Sequence, residues 1–158
     1  MKKLVLVFFL FFVSLFIGCD FFKPEPKEFT KSGITVTLDE SFTENENALH
    51  MVTYVSLNVI FTGNRETITT NYTQKKYAEL VLKAGNISGD VLEYSDDQIS
   101  FAYSYYTNTV EDIEYKYLLV CMKGQTNKYY CMNFGTKESM FDDYKDQMFE
   151  WAKTIKVE

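Results

Sequence analysis

The order of apolar and polar residues divides the chain into an apolar leader, a short polar segment and a long patterned region. Residues 4–17 are apolar apart from Ser14, and they follow Lys2 and Lys3. A basic start, an apolar stretch of this length and a small residue before the break are typical of a secretory signal peptide. As a helix the stretch spans about 21 Å, short of the ~30 Å hydrocarbon core, so a permanent transmembrane helix is the weaker interpretation.

The end of the leader, Leu15-Phe16-Ile17-Gly18-Cys19, resembles the lipobox of bacterial lipoproteins. The resemblance implies a signal peptide over residues 1–18, cleavage between Gly18 and Cys19, and covalent lipid on Cys19. Several acyl chains on one residue give stable anchoring, whereas a single chain binds a membrane only marginally. We therefore expect a protein held by lipid on the extracytoplasmic face of a cell membrane. The alternative is an ordinary secretory peptide with a chance cysteine at the cut.

The segment after the leader differs in composition from the rest of the chain. Residues 19–29 contain both prolines, Pro24 and Pro26, and a run of charged side chains. Each X-Pro step disfavours helix, which predicts an extended tether over residues 19–29. The domain itself is then expected to occupy residues 30–158.

Alternation with a period of two along the domain predicts half-buried strands. These strands are expected at residues 33–38, 51–61, 90–94, 99–106, 115–122 and 128–134. Gly63-Asn64 is expected to end the second of them. In the strand at 115–122, Tyr117, Leu119 and Cys121 lie on one face and Leu118, Val120 and Met122 on the other, so neither face of that strand suits water. The pattern therefore predicts a sheet that is covered on both sides.

Two segments have apolar residues at steps of three and four, the spacing of one helical face. Residues 73–84 form the first predicted helix, with its first residue as the cap and Gly85 as a left-handed stop. Residues 139–153 form the second, the strongest amphipathic pattern of the chain. Ser139 and Asp142 have the spacing of a capping box at its start.

The succession of elements in residues 29–158 resembles the PsbP and Mog1-like superfamily. The resemblance rests on GITVTL, the helix YTQKKYAELVL, the hairpin EYKYLLVCMKGQTNKYYCMNFGT and the closing helix FDDYKDQMFEWAKTIKV. It implies a single α+β domain in which an antiparallel β-sheet is sandwiched by helices. The superfamily includes small bacterial lipoproteins, but its members have different functions, so no functional residue is transferred from it.

The charge of the chain limits its partners. The full chain has a net charge of −6, and removal of residues 1–18 takes away two lysines and no acid, which leaves −8. Binding to nucleic acid draws much of its affinity from lysine and arginine, so a nucleic-acid partner is not expected. The expected partners are the membrane, through the lipid, and an envelope protein or small ligand.

Catalytic motifs are not apparent in the sequence. His50 is the single histidine, and no glycine-rich phosphate loop, GxSxG elbow or HExxH helix occurs. The acidic clusters lack the spacing of an EF-hand. We therefore expect no metal or cofactor beyond the lipid, and a non-enzymatic accessory or binding module. Two alternatives stay open: an enzyme whose carboxylates meet only in the fold, and a purely structural surface antigen.

Two further groups of residues have alternative interpretations. Cys121 and Cys131 lie on the two arms of a predicted hairpin, where they either bridge the strands or serve as reduced core residues. Phe101, Tyr103 and Tyr105 share one face of a strand. That face either receives a partner or lies under a helix.

Overall fold

The computed structural model describes residues 24–46 and 48–158, and this part of the chain holds ten strands and two helices. The predictions for residues 1–23, including Gly18 and Cys19, lie outside it. The strands are β1 (Pro26–Lys31), β2 (Ile34–Asp39), β3 (Thr43–Glu44), β4 (Val52–Val55), β5 (Ile60–Thr67), β6 (Leu92–Ser95), β7 (Ser100–Val110), β8 (Ile113–Lys123), β9 (Lys128–Lys137) and β10 (Lys156–Val157). The helices are α1 (Gln74–Ala84) and α2 (Phe141–Ala152), and a 3-10 turn at Glu138–Met140 precedes α2.

The strands form two antiparallel sheets. The larger sheet has the order β3-β4-β5-β9-β8-β7-β6, and the smaller one the order β1-β2-β10. Helix α1 covers one face of the larger sheet, while α2 and the inward face of β2 cover the other. The predicted fold class, an α+β domain with an antiparallel sheet between helices, is confirmed.

Strand β8 is buried on both faces, as its sequence predicts. Leu119 and Cys121 point towards α1, and Leu118, Val120 and Met122 point towards α2. All five are nearly or fully excluded from water. Burying a side chain of this size contributes about 1.5–3 kcal/mol, so the two covering layers are strongly favoured.

The predicted strand over residues 51–61 is wrong in one respect, because it is two strands joined by a turn. The turn at residues 56–59 separates β4 from β5, and Leu57 within it is 94% exposed. Val55, Leu57 and Val59 are spaced two residues apart, as they would be on one face of a continuous strand. The alternation of apolar residues therefore continues through the turn and conceals it.

Gly63-Asn64 does not end the second strand, since both residues lie inside β5. A Cβ atom on Gly63 would lie 2.7 Å from Cδ1 of Ile34 on β2. The glycine therefore permits the close approach of the smaller sheet to the larger one. Sequence alone cannot separate this use of glycine from a turn.

The helix ends agree with the predictions in part. Thr73 caps α1, and its hydroxyl accepts a hydrogen bond from the N–H of Lys76 at 3.1 Å. Gly85 is right-handed, and the left-handed residue is Asn86, with φ of 52°. The predicted capping box of Ser139 is not formed, because Ser139 lies in the 3-10 turn that precedes α2.

The range predicted as a tether overlaps the first strand. Residues 26–29, assigned to the tether, belong to β1, where Phe29 pairs with Val36 of β2. The Phe29 ring also packs on Tyr54, with ring centres 4.7 Å apart. Pro26 is the first residue of this edge strand and Pro24 precedes the strand. Proline is tolerated at both kinds of position, because neither needs its N–H for the sheet.

Neither described helix resembles a membrane span. Within residues 24–46 and 48–158, no helix is both long enough and apolar enough to cross a bilayer.

Candidate binding surface around Leu57

The aromatic face predicted as a docking surface lies under helix α2. Phe101 is 1% exposed, and its ring centre is 5.9 Å from that of Phe149 on α2. Tyr103 packs on the same Phe149 at 5.2 Å, and Tyr105 packs on Phe141 at 5.6 Å. Of the two interpretations of Phe101, Tyr103 and Tyr105, the structure supports the sheet face under a helix.

His50 is held by an amide and not by a thiol. Its Nδ1 lies 3.0 Å from Nδ2 of Asn64. Partial burial lowers the pKa of His50. Within the described residues, no group of three or more His, Cys, Asp or Glu side chains is placed to hold a metal ion. The His50 ring is thus hydrogen-bonded to the amide of Asn64, which is not a nucleophile.

The turn between β4 and β5 presents an apolar side chain to solvent on a fixed backbone. The N–H of Ser56 donates to the carbonyl of Val59 at 2.9 Å, and the N–H of Val59 donates to the Ser56 hydroxyl at 3.2 Å. The amide of Asn58 donates to the hydroxyl of Tyr144 on α2 at 2.7 Å. Because these bonds restrain the turn, little conformational entropy is lost when a partner contacts Leu57.

Two cavities meet at this turn. The first, here called the α2 groove, has a volume of about 630 Å³. Its lining includes Pro24, Leu38, Tyr144 and Trp151, together with the carboxylates Asp39 and Glu150. The second, here called the tyrosine groove, has a volume of about 370 Å³ and is lined by Val110, Tyr115, Tyr117, Lys137 and Met140, among others. Residues 56–58 line both grooves.

The tyrosine groove lies on the face of the larger sheet that α1 covers. The groove is left open because α1 is shorter than the strands beneath it. With 11 residues, α1 extends about 16 Å. The strands β7 and β8 have 11 residues each and extend about 36 Å. The helix covers the half that contains Leu119 and Cys121. In the described part of the chain, residues 113–117 of β8 do not belong to the cluster that packs under α1.

Tyrosine rings make the floor of this part of the face. Tyr106 and Tyr117 stack with ring centres 4.9 Å apart and planes 11° apart. The Tyr106 hydroxyl donates to Oδ1 of Asn133 at 3.0 Å. A Cβ atom on Gly135 would lie 2.5 Å from Cε1 of Tyr117, so glycine at this position allows the ring to lie on the backbone. Burial raises the pKa of both Tyr106 and Tyr117.

Sequence reasoning missed Leu57 as a functional candidate. The alternation around it predicted an inward side chain, whereas the structure places it outside. Polar residues on both sides, Ser56 and Asn58, are residues that turns favour, and they were the available signal.

Comparison with known proteins identifies solved structures with a similar fold. No protein-family model matches the chain, and no curated protein matches it either. The solved structure of the PsbP protein CyanoP from Synechocystis sp. PCC 6803 is 11% identical, with a TM-score of 0.59, and the alignment covers 86% of this chain and 94% of that one.

Two further solved structures share the architecture. LpqN of Mycobacterium tuberculosis, a protein involved in cell envelope biogenesis, is 9% identical, with a TM-score of 0.59 over 85% of this chain and 90% of its own. The Ran-binding protein Mog1p of Saccharomyces cerevisiae is 10% identical, with a TM-score of 0.60 over 85% of this chain and 96% of its own. The chain therefore has the PsbP/Mog1-like fold, as one domain that covers most of its length.

The raised pKa of Tyr106 predicts a loss of stability in alkali. The folded protein holds this proton more tightly than the unfolded chain does. As pH rises above the ordinary tyrosine pKa of about 10, the unfolded state ionises first and the free energy of unfolding falls. Tyr106→Phe is expected to make that fall shallower in urea titrations between neutral and alkaline pH.

Tyr115→Phe, on the same face, serves as the control for general effects of a lost hydroxyl. Equal slopes of stability against pH for the wild type and Tyr106→Phe would contradict the assignment.

Proposed function

We propose that this protein is a lipid-anchored, non-enzymatic binding module on the extracytoplasmic side of the cell envelope. The leader over residues 1–18 and the cysteine at its end support the anchor. The fold begins only a few residues later, at Pro26. LpqN, which shares the fold, is involved in cell envelope biogenesis, and that supports an envelope location.

The observation that carries the binding function is the exposed Leu57 between two grooves. A single exposed leucine is ordinary on a protein surface. This one stands on a restrained turn, with concave surfaces on both sides that can accept a partner's side chains. Interfaces draw most of their affinity from a few side chains that fill well-packed pockets. Mog1p, another protein with this fold, binds a protein, Ran.

The position of the tether brings the α2 groove close to the bilayer. Pro24 lines that groove, and five residue steps separate it from Cys19. An extended chain of that length reaches at most about 18 Å. A partner in this groove would therefore be located at the membrane surface, which suits an envelope protein that is itself attached to the membrane.

The charges of the α2 groove favour a partner with basic as well as apolar side chains. Its charged lining residues, Asp39 and Glu150, are both acidic, although Glu150 is paired with Lys153 at 2.6 Å, and the chain without its leader has a net charge of −8. Complementary charge speeds the encounter with a basic partner and disfavours acidic ones.

The carboxyl group of Asp96 has a structural explanation that does not favour the enzyme hypothesis. The pKa of Asp96 is lowered from its ordinary value. The main cause is the N–H of Gln98, followed by the hydroxyl of Tyr94 and the N–H of Ile99. These bonds shape the turn between β6 and β7. A catalytic acid would instead need a raised pKa in a cavity.

Removal of the Cys19 thiol is expected to release the protein from membranes. In the native host, Cys19→Ser leaves no sulfur for the lipid. The protein should therefore leave the membrane pellet for the soluble fraction, or accumulate as precursor with its leader uncleaved. Fractionation with immunoblotting measures the distribution.

Cys131→Ser is the matched control, since it removes a cysteine and leaves the anchor. A Cys19→Ser protein that stays in the membrane at wild-type level with its leader cleaved would refute lipid anchoring.

Substitution of Leu57 is expected to abolish partner binding without unfolding the domain. Because the side chain is 94% exposed, Leu57→Asp should change the free energy of unfolding by less than about 0.5 kcal/mol. A photo-crosslinking residue at position 110, in the tyrosine groove, should give one discrete protein adduct in whole cells. Leu57→Asp should eliminate that adduct.

Leu92→Asp supplies the comparison, because Leu92 is 49% exposed on the edge strand β6, away from both grooves. The proposal fails if position 110 gives no adduct, or if the adduct persists in Leu57→Asp.

A further inference from the structure

Cys121 and Cys131 face each other across the central pair of strands. The register of β8 and β9 places Cys121 directly opposite Cys131. Both side chains lie on the face covered by α1, in the cluster built around Tyr77, Ala78 and Leu82. In the structure both thiols are free. The one-residue shift that would have separated them does not occur.

The hydrogen-bonding class of the Cys121–Cys131 pair also favours a disulfide bond. At the end of the hairpin, the N–H of Gly124 donates to the carbonyl of Lys128 at 2.9 Å, which marks a hydrogen-bonded pair. Hydrogen-bonded and non-hydrogen-bonded pairs alternate along antiparallel strands. Cys121 and Cys131 are three positions further along an unbroken register, so they form a non-hydrogen-bonded pair.

In such a pair the Cα atoms are about 4.5 Å apart and the side chains approach most closely. Disulfides span Cα separations of about 4.4–6.8 Å. The two cysteines therefore meet the distance requirement with no change of register.

The two thiols differ in their access to solvent. Cys121 is fully buried, and burial, followed by the adjacent Cys131 thiol, raises its pKa well above the ordinary value. Cys131 is partly exposed. An oxidant from solution would therefore meet Cys131 first, and Cys121 would act as the resolving thiol.

We propose that Cys121 and Cys131 form a redox pair that closes to an intrachain cross-strand disulfide with a dissolved or protein disulfide as oxidant. The Cys131 thiolate attacks one sulfur of that disulfide and expels a thiolate. Cys121 then loses its proton, attacks Sγ of Cys131 and expels the second thiolate. The two cysteines lose two electrons and two protons, and the oxidant becomes two thiols.

The bond would link the two central strands of the larger sheet beneath α1. It closes a loop of about ten residues in the unfolded chain, which reduces the entropy gained on unfolding. We expect the oxidised protein to melt about 10 °C above the reduced one. The inference is independent of the Leu57 surface and does not need the lipid.

The test uses the full chain with Cys19→Ser, so that two thiols remain, purified in detergent and equilibrated with oxidised glutathione. Alkylation of the denatured, unreduced protein followed by peptide mass mapping should find Cys121 and Cys131 joined and unlabelled. Prior reduction should label both residues and lower the Tm.

A matched variant moves one thiol by a single position. Cys121→Ser with Met122→Cys keeps two thiols, but position 122 faces α2 on the opposite side of the sheet. This variant should form no intrachain bond, while circular dichroism verifies that it is folded. Free, fully alkylated Cys121 and Cys131 after equilibration, or an intrachain bond of equal yield in the shifted variant, would overturn the proposal.

Discussion

The structure depends on the burial of strand β8, and of its neighbour β9, on both faces. A strand with one solvent-exposed face needs a single covering layer. Residues 118–122 are buried on both faces of the sheet, so they need two. One layer is α1, and the other is α2 with the small β1-β2-β10 sheet. The order of the layers, the close approach at Gly63 and the packing of Phe149 over Phe101 follow from this requirement.

The same requirement explains where a binding surface is left. The strands β7 and β8 are longer in space than α1, so in the described part of the chain Tyr115 and Tyr117 lie outside the cluster under α1 and line the tyrosine groove. The restrained turn with Leu57 borders this groove and also borders the groove next to α2. A short helix on a long sheet thus produces a concave surface without any loss of core burial. The proposed binding function uses this surface together with the α2 groove, and the proposed tether places the α2 groove next to the bilayer.

Local sequence patterns predicted the features that local chemistry decides. The two-faced pattern at 117–122, the two helices and the cap at Thr73 could be predicted because each depends on residues a few positions apart. The errors arise where distant contacts decide. Gly63 resembles a turn signal, whereas it lies inside β5 and allows the close approach of Ile34. The sequence left two interpretations of Phe101, Tyr103 and Tyr105 open, and the packing of α2 decides between them. The turn at Leu57 was concealed because the apolar alternation continues through it. The sequence suggested the pairing of Cys121 with Cys131, but only the register shows that they are opposed.

Native-state hydrogen exchange tests the central claim most directly. If double-sided burial of the central strands supports the fold, the amides of residues 118–122 in β8 and 130–134 in β9 should exchange only through global unfolding. Amides of residues 107–110, at the end of β7 that α1 does not cover, should exchange through local opening and with lower protection. Equal protection in the two regions, or faster exchange in β8 than at the end of β7, would contradict the account.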